Sequence, residues 1–271
     1  TPAEQSGPYC AVHQTTNPDS IKAFLKDLYL QALQPALPAN AMRDVQWPEV
    51  PGRTYLLSVG KAATQMAAAI LDRLPENADG LIVTRQGYVE PGFSPDHFKI
   101  VEASHPVPDS VGAEAARTAL RVADTLGEDD LLLVLMSGGA SALLPVPADG
   151  ISLPEKQAVT RALLRSGAPI SEMNMVRKHL SAIKGGRLAA RAWPAATHMI
   201  AISDIPGDDV AMIGSGPTVA DSSTCADTLA IAAKYHIALP PAISGKLVSG
   251  ALETPKVDDP EMQRTTATLC A

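Results

Sequence analysis

The stretch Asp130–Leu144, D-L-L-L-V-L-M-S-G-G-A-S-A-L-L, constrains the fold more than any other part of the chain. Its apolar run from Leu131 to Met136 shows no polar alternation, so the strand it predicts must be covered on both faces. A parallel sheet flanked by helices meets that condition. Ser137, Gly138, Gly139, Ala140 and Ser141 follow as a turn with little side-chain bulk, able to pass close to a ligand, and Ala142, Leu143 and Leu144 read as the opening of a helix. Backbone N–H groups and two hydroxyls converging at such a turn suit an anion. A glycine-rich connection that only lets a helix pack closely reads the same way, so the rest of the chain decides.

Residues 1–17 are polar and unpatterned and read as an N-terminal arm. Asn17-Pro18 is a helix start, and Ile21, Phe24, Leu25 and Leu28 recur at helical spacing, predicting an amphipathic helix to about Gln34, ended by Pro35 and Pro38. Thr54–Val59 reads as a strand that breaks at Gly60-Lys61, with a helix over Ala62–Leu74. Short strands follow at Gly80–Thr84 and His97–Glu102, then a helix over Ser110–Leu126 ahead of the Leu131 run. Beyond the glycine turn come helices over Pro154–Arg165 and Cys225–Tyr235, with a strand over Thr197–Ile202 between them. The Pro-rich, polar segment after residue 240 shows no clear strand. Strands alternating with helices predict an α/β fold, a Rossmann-like doubly wound, mostly parallel sheet with helices on both faces. Its ligands belong outside the carboxyl ends of the strands, where Gly60-Lys61, Arg85, His105 and Ser137–Ser141 all fall.

Charge narrows the ligand class. The formal net charge is −7, without a basic block and with 4% aromatics, which argues against a nucleic-acid surface. Small anions would need locally placed cations. The segment Ser171–Ser181 supplies Arg177 and Lys178, with Lys184, Arg187 and Arg191 close behind, although a solvated helical face would carry charges in the same way. Cys10, Cys225 and Cys270 are far apart, with no C-x-x-C pair, as expected of reduced thiols in a cytoplasm. No apolar run approaches the roughly 20 residues that span a bilayer, and a soluble cytoplasmic protein without membrane contacts is the expectation.

Two phosphate signatures are excluded. Gly60-Lys61 is followed by Ala62 and lacks the upstream glycine of a Walker A loop, and no G-x-G-x-x-G follows a strand. Asp204, Asp208 and Asp209 in S-D-I-P-G-D-D offer carboxylates for Mg²⁺, and a structural turn would use the same residues.

The ordered set G-K-A-A at Gly60–Ala63, H-P-V-P-D at His105–Asp109, S-G-G-A-S-A-L-L at Ser137–Leu144, N-x-V-R-K-H-L-S at Asn174–Ser181, K-G-G-R-L-A at Lys184–Ala189, S-D-I-P-G-D-D at Ser203–Asp209 and G-S-G-P-T at Gly214–Thr218 resembles the glycerate 2-kinase family with a C-terminal MOFRL domain. The resemblance covers about residues 18–240 and implies an ATP- and Mg²⁺-dependent kinase acting on the 2-hydroxyl of D-glycerate. Members are also labelled hydroxypyruvate reductases. Residues 18–240 would be the Rossmann-like domain, and 241–271 a linker toward a MOFRL domain outside this chain, so that this portion alone could be inactive. A homodimer is an assembly the resemblance allows.

On that resemblance Lys61 and Asp204 are the catalytic candidates. Ser137, Gly138, Gly139, Ala140, Ser141, Asn174, Arg177, Lys178 and Lys184 would hold substrate and phosphate. Gly60, Ser215, Gly216, Pro217 and Thr218 would meet the nucleotide, and Asp204 with Asp208 the metal. His105 either joins the site or braces its loop. The competing readings are an NAD(P)H-dependent hydroxypyruvate reductase, which the missing dinucleotide fingerprint disfavours, and a non-catalytic sugar-acid-binding module.

Overall fold

The computed structural model describes residues 17–270; the arm over 1–16 and Cys10 lie outside the described residues. In chain order the elements are α1 (Pro18–Leu33), α2 (Pro38–Ala41), β1 (Thr54–Val59), α3 (Ala63–Ala68), β2 (Asp79–Arg85), β3 (Phe98–Ala103), α4 (Ser110–Ala123), β4 (Leu131–Met136) and α5 (Ala140–Leu143). They continue with α6 (Leu153–Ser166), α7 (Ile170–His179), α8 (Arg187–Ala192), β5 (Ala196–Ile202), α9 (Cys225–Lys234), α10 (Pro241–Val248) and β6 (Thr265–Cys270). Six strands form one sheet in the order β3-β2-β1-β4-β5-β6, and every pairing is parallel.

Burial explains why β1 and β4 lack alternation: every residue of both strands is buried. Leu57, Val59, Leu132, Val134 and Met136 pack on one side with α4, α5 and α8. Leu56, Leu131, Leu133 and Leu135 pack on the other with α3 and Met42. Each such side chain contributes about 1.5–3 kcal/mol on burial, so charge within either run would be costly. A third cluster joins α6, α7, α9 and α10 through Val159, Leu163, Val176, Ile231, Ile243 and Leu247, forming a separate helical layer.

Caps fix the helix entries. Asp109 Oδ1 accepts the Gly112 N–H at the start of α4, while its Oδ2 accepts the Ser104 N–H, tying down the loop that carries His105. Reciprocal capping boxes begin α6 at Ser152/Glu155 and α9 at Thr224/Asp227.

Two expectations need correction. Residues 241–270, expected as a linker, form α10 and the sixth strand of the sheet. Thr265–Cys270 escapes a search for apolar runs because this edge strand is only partly covered, and its threonines satisfy the β preference that leucine and valine meet in β4. The second is α1, which forms at the expected place but buries none of its residues, leaving Phe24 and Leu25 exposed. No helix among the described residues is long and apolar enough to cross a membrane.

Candidate active site

The sheet order reverses between β1 and β4, where connections leave toward opposite faces and a crevice opens outside the strand ends. The two turns at this point are stitched together. Lys61 N–H donates to Gly138 O at 2.9 Å, Ala62 N–H to Ser137 Oγ at 3.1 Å, and Ser137 N–H to Val59 O at 3.0 Å. The approach requires glycine: at Gly60, with φ at 135°, a Cβ would lie 2.1 Å from Ser137 Oγ.

Lys61, His105 and Asp204 meet over the next two glycines. A Cβ on Gly138 would stand 1.9 Å from Asp204 Oδ2. One on Gly139 would be 3.1 Å from His105 Nε2 and 3.4 Å from Lys61 Cε. Three side chains from the ends of β1, β3 and β5 thereby crowd one backbone segment whose N–H groups, at Gly138 and Gly139, find no acceptor among the described residues. Burial pushes the His105 imidazole below its ordinary value, helped by the Lys61 and Arg85 cations and opposed by Asp204.

A cavity of about 430 Å³ opens beside this point, lined among others by His105, Gly139, Ser141, Lys156, Arg177 and Lys184. Pro106, Val107 and Leu164 give its rim an apolar character. Arg177 is half-buried, its guanidinium donates to no group among the described residues, and burial lowers its pKa. A guanidinium with unused donors in a cavity is suited to a carboxylate or phosphate fork.

Two buried lysines stand behind it. Lys184, 3% exposed, donates to Ser141 O and Ser141 Oγ, both at 2.9 Å, and to Gly214 O at 3.3 Å. Three acceptors match the three protons of an ammonium, although burial holds its pKa well below the ordinary value. Ser141 Oγ lies 3.1 Å from Ser215 Oγ, which donates to Asn174 Oδ1 at 3.4 Å, so Lys184, Ser141, Ser215 and Asn174 form one network that braces the turn. Lys156, 7% exposed, donates to Pro145 O at 3.1 Å and Val146 O at 3.0 Å. Burial, and then the Arg187 and Arg177 charges, lower it to about 7.

The structure therefore gathers Lys61, Gly138, Gly139, Ser141, Arg177, Lys184 and Asp204 about one crevice, with His105 among them. Ala140 and Ser137 are buried beneath the turn. Other expected contacts are placed elsewhere. Lys178 is buried and paired with Asp221 at 3.1 Å, and Asp221 also accepts from Ser223 and Thr254, so this cation is consumed inside the protein and does not join the clamp. Ser215, Gly216, Pro217 and Thr218 are buried as well. Their carbonyls take the Gly185, Gly186 and Leu188 N–H groups, and Thr218 packs on Met199, which makes G-S-G-P-T a support for K-G-G-R in place of the expected nucleotide loop. Gly60 likewise spends its N–H on Val83 O and its carbonyl on Thr84.

Asp208 and Asp209 are exposed in the loop after β5, and Asp209 Oδ1 caps the Ala211 N–H. Among the described residues these carboxylates do not close with Asp204 into a three-ligand group. The Asp204 carboxylate against the Gly138 turn still fits Mg²⁺, which is held by one or two carboxylates together with substrate phosphates. Lys156 escaped the sequence reading, yet it left a signal. It shares the face of α6 with Val159 and Leu163, three and seven residues on, where a lysine without a purpose would be replaced by an apolar residue.

The family described as a domain of unknown function, DUF4147, matches residues 24–247. The D-glycerate 2-kinase of Thermotoga maritima is 39% identical over 241 residues, covering 89% of this chain and 57% of that protein. A hydroxypyruvate reductase by name, from Agrobacterium vitis, is 46% identical over 247 residues, covering 90% of this chain and 55% of its own length. The crystal structure of the Thermotoga maritima glycerate kinase superposes with a TM-score of 0.82 at 37% identity, over 94% of this chain and 59% of that one. The chain thus spans little more than half the length of these three relatives.

Proposed function

The chain belongs to the DUF4147 family, and from that membership and the cation-lined crevice we propose that the protein phosphorylates the 2-hydroxyl of D-glycerate with ATP, giving 2-phosphoglycerate and ADP. The observation that carries the reading is the meeting of Lys61, His105 and Asp204 over Gly138 and Gly139 beside the Arg177 cavity. Phosphoryl transfer asks a protein chiefly for position and charge. Arg177 takes the glycerate carboxylate through its unused donors. The Gly138 and Gly139 N–H groups and the Lys61 ammonium face the transferring phosphoryl, whose negative charge is spread over its equatorial oxygens. Asp204 holds Mg²⁺, which when bound would neutralise phosphate charge. His105, pushed toward neutral imidazole, is the acceptor we assign to the hydroxyl proton.

A second domain of the MOFRL type, which the resemblance implies, would supply the facing wall of the cleft and further groups to the site. Hydride transfer to hydroxypyruvate is the competing reading, favoured by the name of the Agrobacterium vitis relative. The turn after β1 lacks the glycine pattern a dinucleotide needs. Product identification by phosphorus NMR, on the longest protein that contains this chain, separates them. Appearance of 2-phosphoglycerate and ADP supports the kinase, whereas NADH consumption without ADP overturns it.

A further inference from the structure

We propose that His179, Cys225 and Glu253 form a binding site for a divalent cation of the zinc class, separate from the crevice at the β1 and β4 turns. None of the three lines the cavity described above. His179 is the last residue of α7, Cys225 the first of α9, and Glu253 follows α10 on the way to β6. Their ligand atoms all lie within 4.8 Å of one another, and His179 Nε2 is 3.5 Å from Glu253 Oε1. Ligands at the usual zinc distances of about 2.0–2.3 Å stand roughly 3.3–3.8 Å apart on a tetrahedron, so the His–Glu pair already has that spacing and the thiol needs only a small closure.

The independent observation is the state of His179. Its Nδ1 lies 2.9 Å from Met175 O, and a carbonyl can only accept, so Nδ1 carries a proton. In the neutral ring Nε2 then holds a lone pair. That atom is fully buried, at 0% exposure for the residue, and has no hydrogen-bond partner. It is aimed at the Cys225 thiol and the Glu253 carboxylate. A histidine whose far nitrogen donates to a main-chain carbonyl is the orientation found in metal sites.

The donor set selects the cation. One imidazole, one thiol and one carboxylate favour zinc-like ions over Mg²⁺ or Ca²⁺, with water left for a fourth position. On binding, the Cys225 S–H bond breaks, its proton leaves to solvent, and the thiolate bonds to the cation. Glu253 stays oriented because its Oε2 accepts the Cys225 N–H at 2.9 Å and its Oε1 the Thr254 N–H at 3.2 Å. Lys256, 2.6 Å from Oε1, is the competitor the cation must displace, and it keeps Asp221 O, Ser223 O and Thr254 Oγ1 as acceptors. Arg187 stays anchored on the Lys178, Ser181 and Leu252 carbonyls. With its side chain 38% exposed, Glu253 offers a route from solvent.

Cobalt reports the site directly. Chelator-stripped protein should take up one equivalent of Co²⁺ with a thiolate-to-cobalt charge-transfer band that excess Zn²⁺ erases. The Cys225→Ala variant should lose the band and bind Zn²⁺ at least about tenfold more weakly, while Cys270→Ala keeps both. Should Cys225→Ala fail to fold, mass spectrometry of the alkylated parent protein answers the question, with Zn²⁺ expected to protect Cys225. A folded protein that shows no band, a band that persists without Cys225, or alkylation indifferent to Zn²⁺ would overturn the proposal and leave the three side chains as packing between α7, α9 and the segment after α10.

Discussion

Replacing Lys156 by Met should make the protein more stable below neutral pH and less able to hold an anion. The lysine is nearly fully buried and its value falls to about 7 from 10.5. At about 1.4 kcal/mol per unit, keeping the charge inside costs up to about 5 kcal/mol below pH 7. This is an upper bound, since both carbonyl bonds favour the ammonium. Methionine removes that cost and leaves Pro145 O without its donor, a loss of about 1–3 kcal/mol. Val146 O keeps Ser181 Oγ and the Ala182 N–H. The net gain at pH 6 is then about 1–3 kcal/mol, or roughly 2–9 °C in Tm at this chain length.

The pH dependence gives the sign. Between about 7 and 10.5 the unfolded chain binds a proton on Lys156 that the folded one does not, so the parent gains stability as pH rises through that window. The Met variant lacks the group, and its advantage should shrink by about 3 kcal/mol between pH 6 and pH 9.5, ending in a deficit from the orphaned carbonyl. Urea denaturation of both proteins at the two pH values reads this difference, in which other titrations cancel. A Met variant that is less stable throughout, by a pH-independent amount, would refute the reasoning and make Lys156 a structural strut. The function side has its own readout. An ammonium has three donors and the carbonyls take two, leaving one for a ligand in the cavity. Calorimetry should show D-glycerate binding tighter at pH 6 than at pH 8.5, with proton uptake near neutrality that Lys156→Met abolishes.

Lys61→Met deletes a charge at the crevice while leaving the sheet untouched, so kcat should fall by roughly two to three orders of magnitude with little change in the KM for ATP; a kcat within about threefold of the parent would remove Lys61 from the site. Gly138→Ala, by its clash with the Asp204 carboxylate, should abolish turnover while circular dichroism stays that of the parent, and full activity would show that the carboxylate need not lie there. Arg177 and Lys178 should part company. Arg177→Met should weaken D-glycerate binding by about 1.5–3 kcal/mol, the worth of charge-assisted hydrogen bonds, at nearly unchanged stability. Lys178→Met should instead cost about 3–5 kcal/mol in urea denaturation by stranding Asp221, and the opposite partition would reverse their assignments.

The contrast between these neighbours shows where a sequence stops being readable. Leu131–Met136 could be read as a central strand because full burial on both faces leaves one kind of residue, and the turn after it could be read because close approach of backbone leaves almost only glycine. Both are local constraints written in residue type. Whether a lysine points into a cavity or into a core is decided by what lies opposite, and Asp221 is far from Lys178 in sequence. Arg177 and Lys178 look alike in V-R-K-H, yet about 100° of helix rotation separates adjacent residues and sends one to the crevice and the other to a buried carboxylate. The same limit applies to G-S-G-P-T, to which the resemblance gives nucleotide contacts but whose positive φ angles at Gly214, Ser215 and Gly216 fold it beneath the K-G-G-R turn. Lys156 is legible only in part: its spacing to Val159 and Leu163 puts it on the apolar face of α6, but the Pro145 and Val146 carbonyls that hold its ammonium come from the segment after α5. An ionisable group kept buried at a cost of several kcal/mol calls for a reason, and in the cavity that Lys156 lines, with Arg177 on another wall, the charge of a bound small anion would offset that penalty.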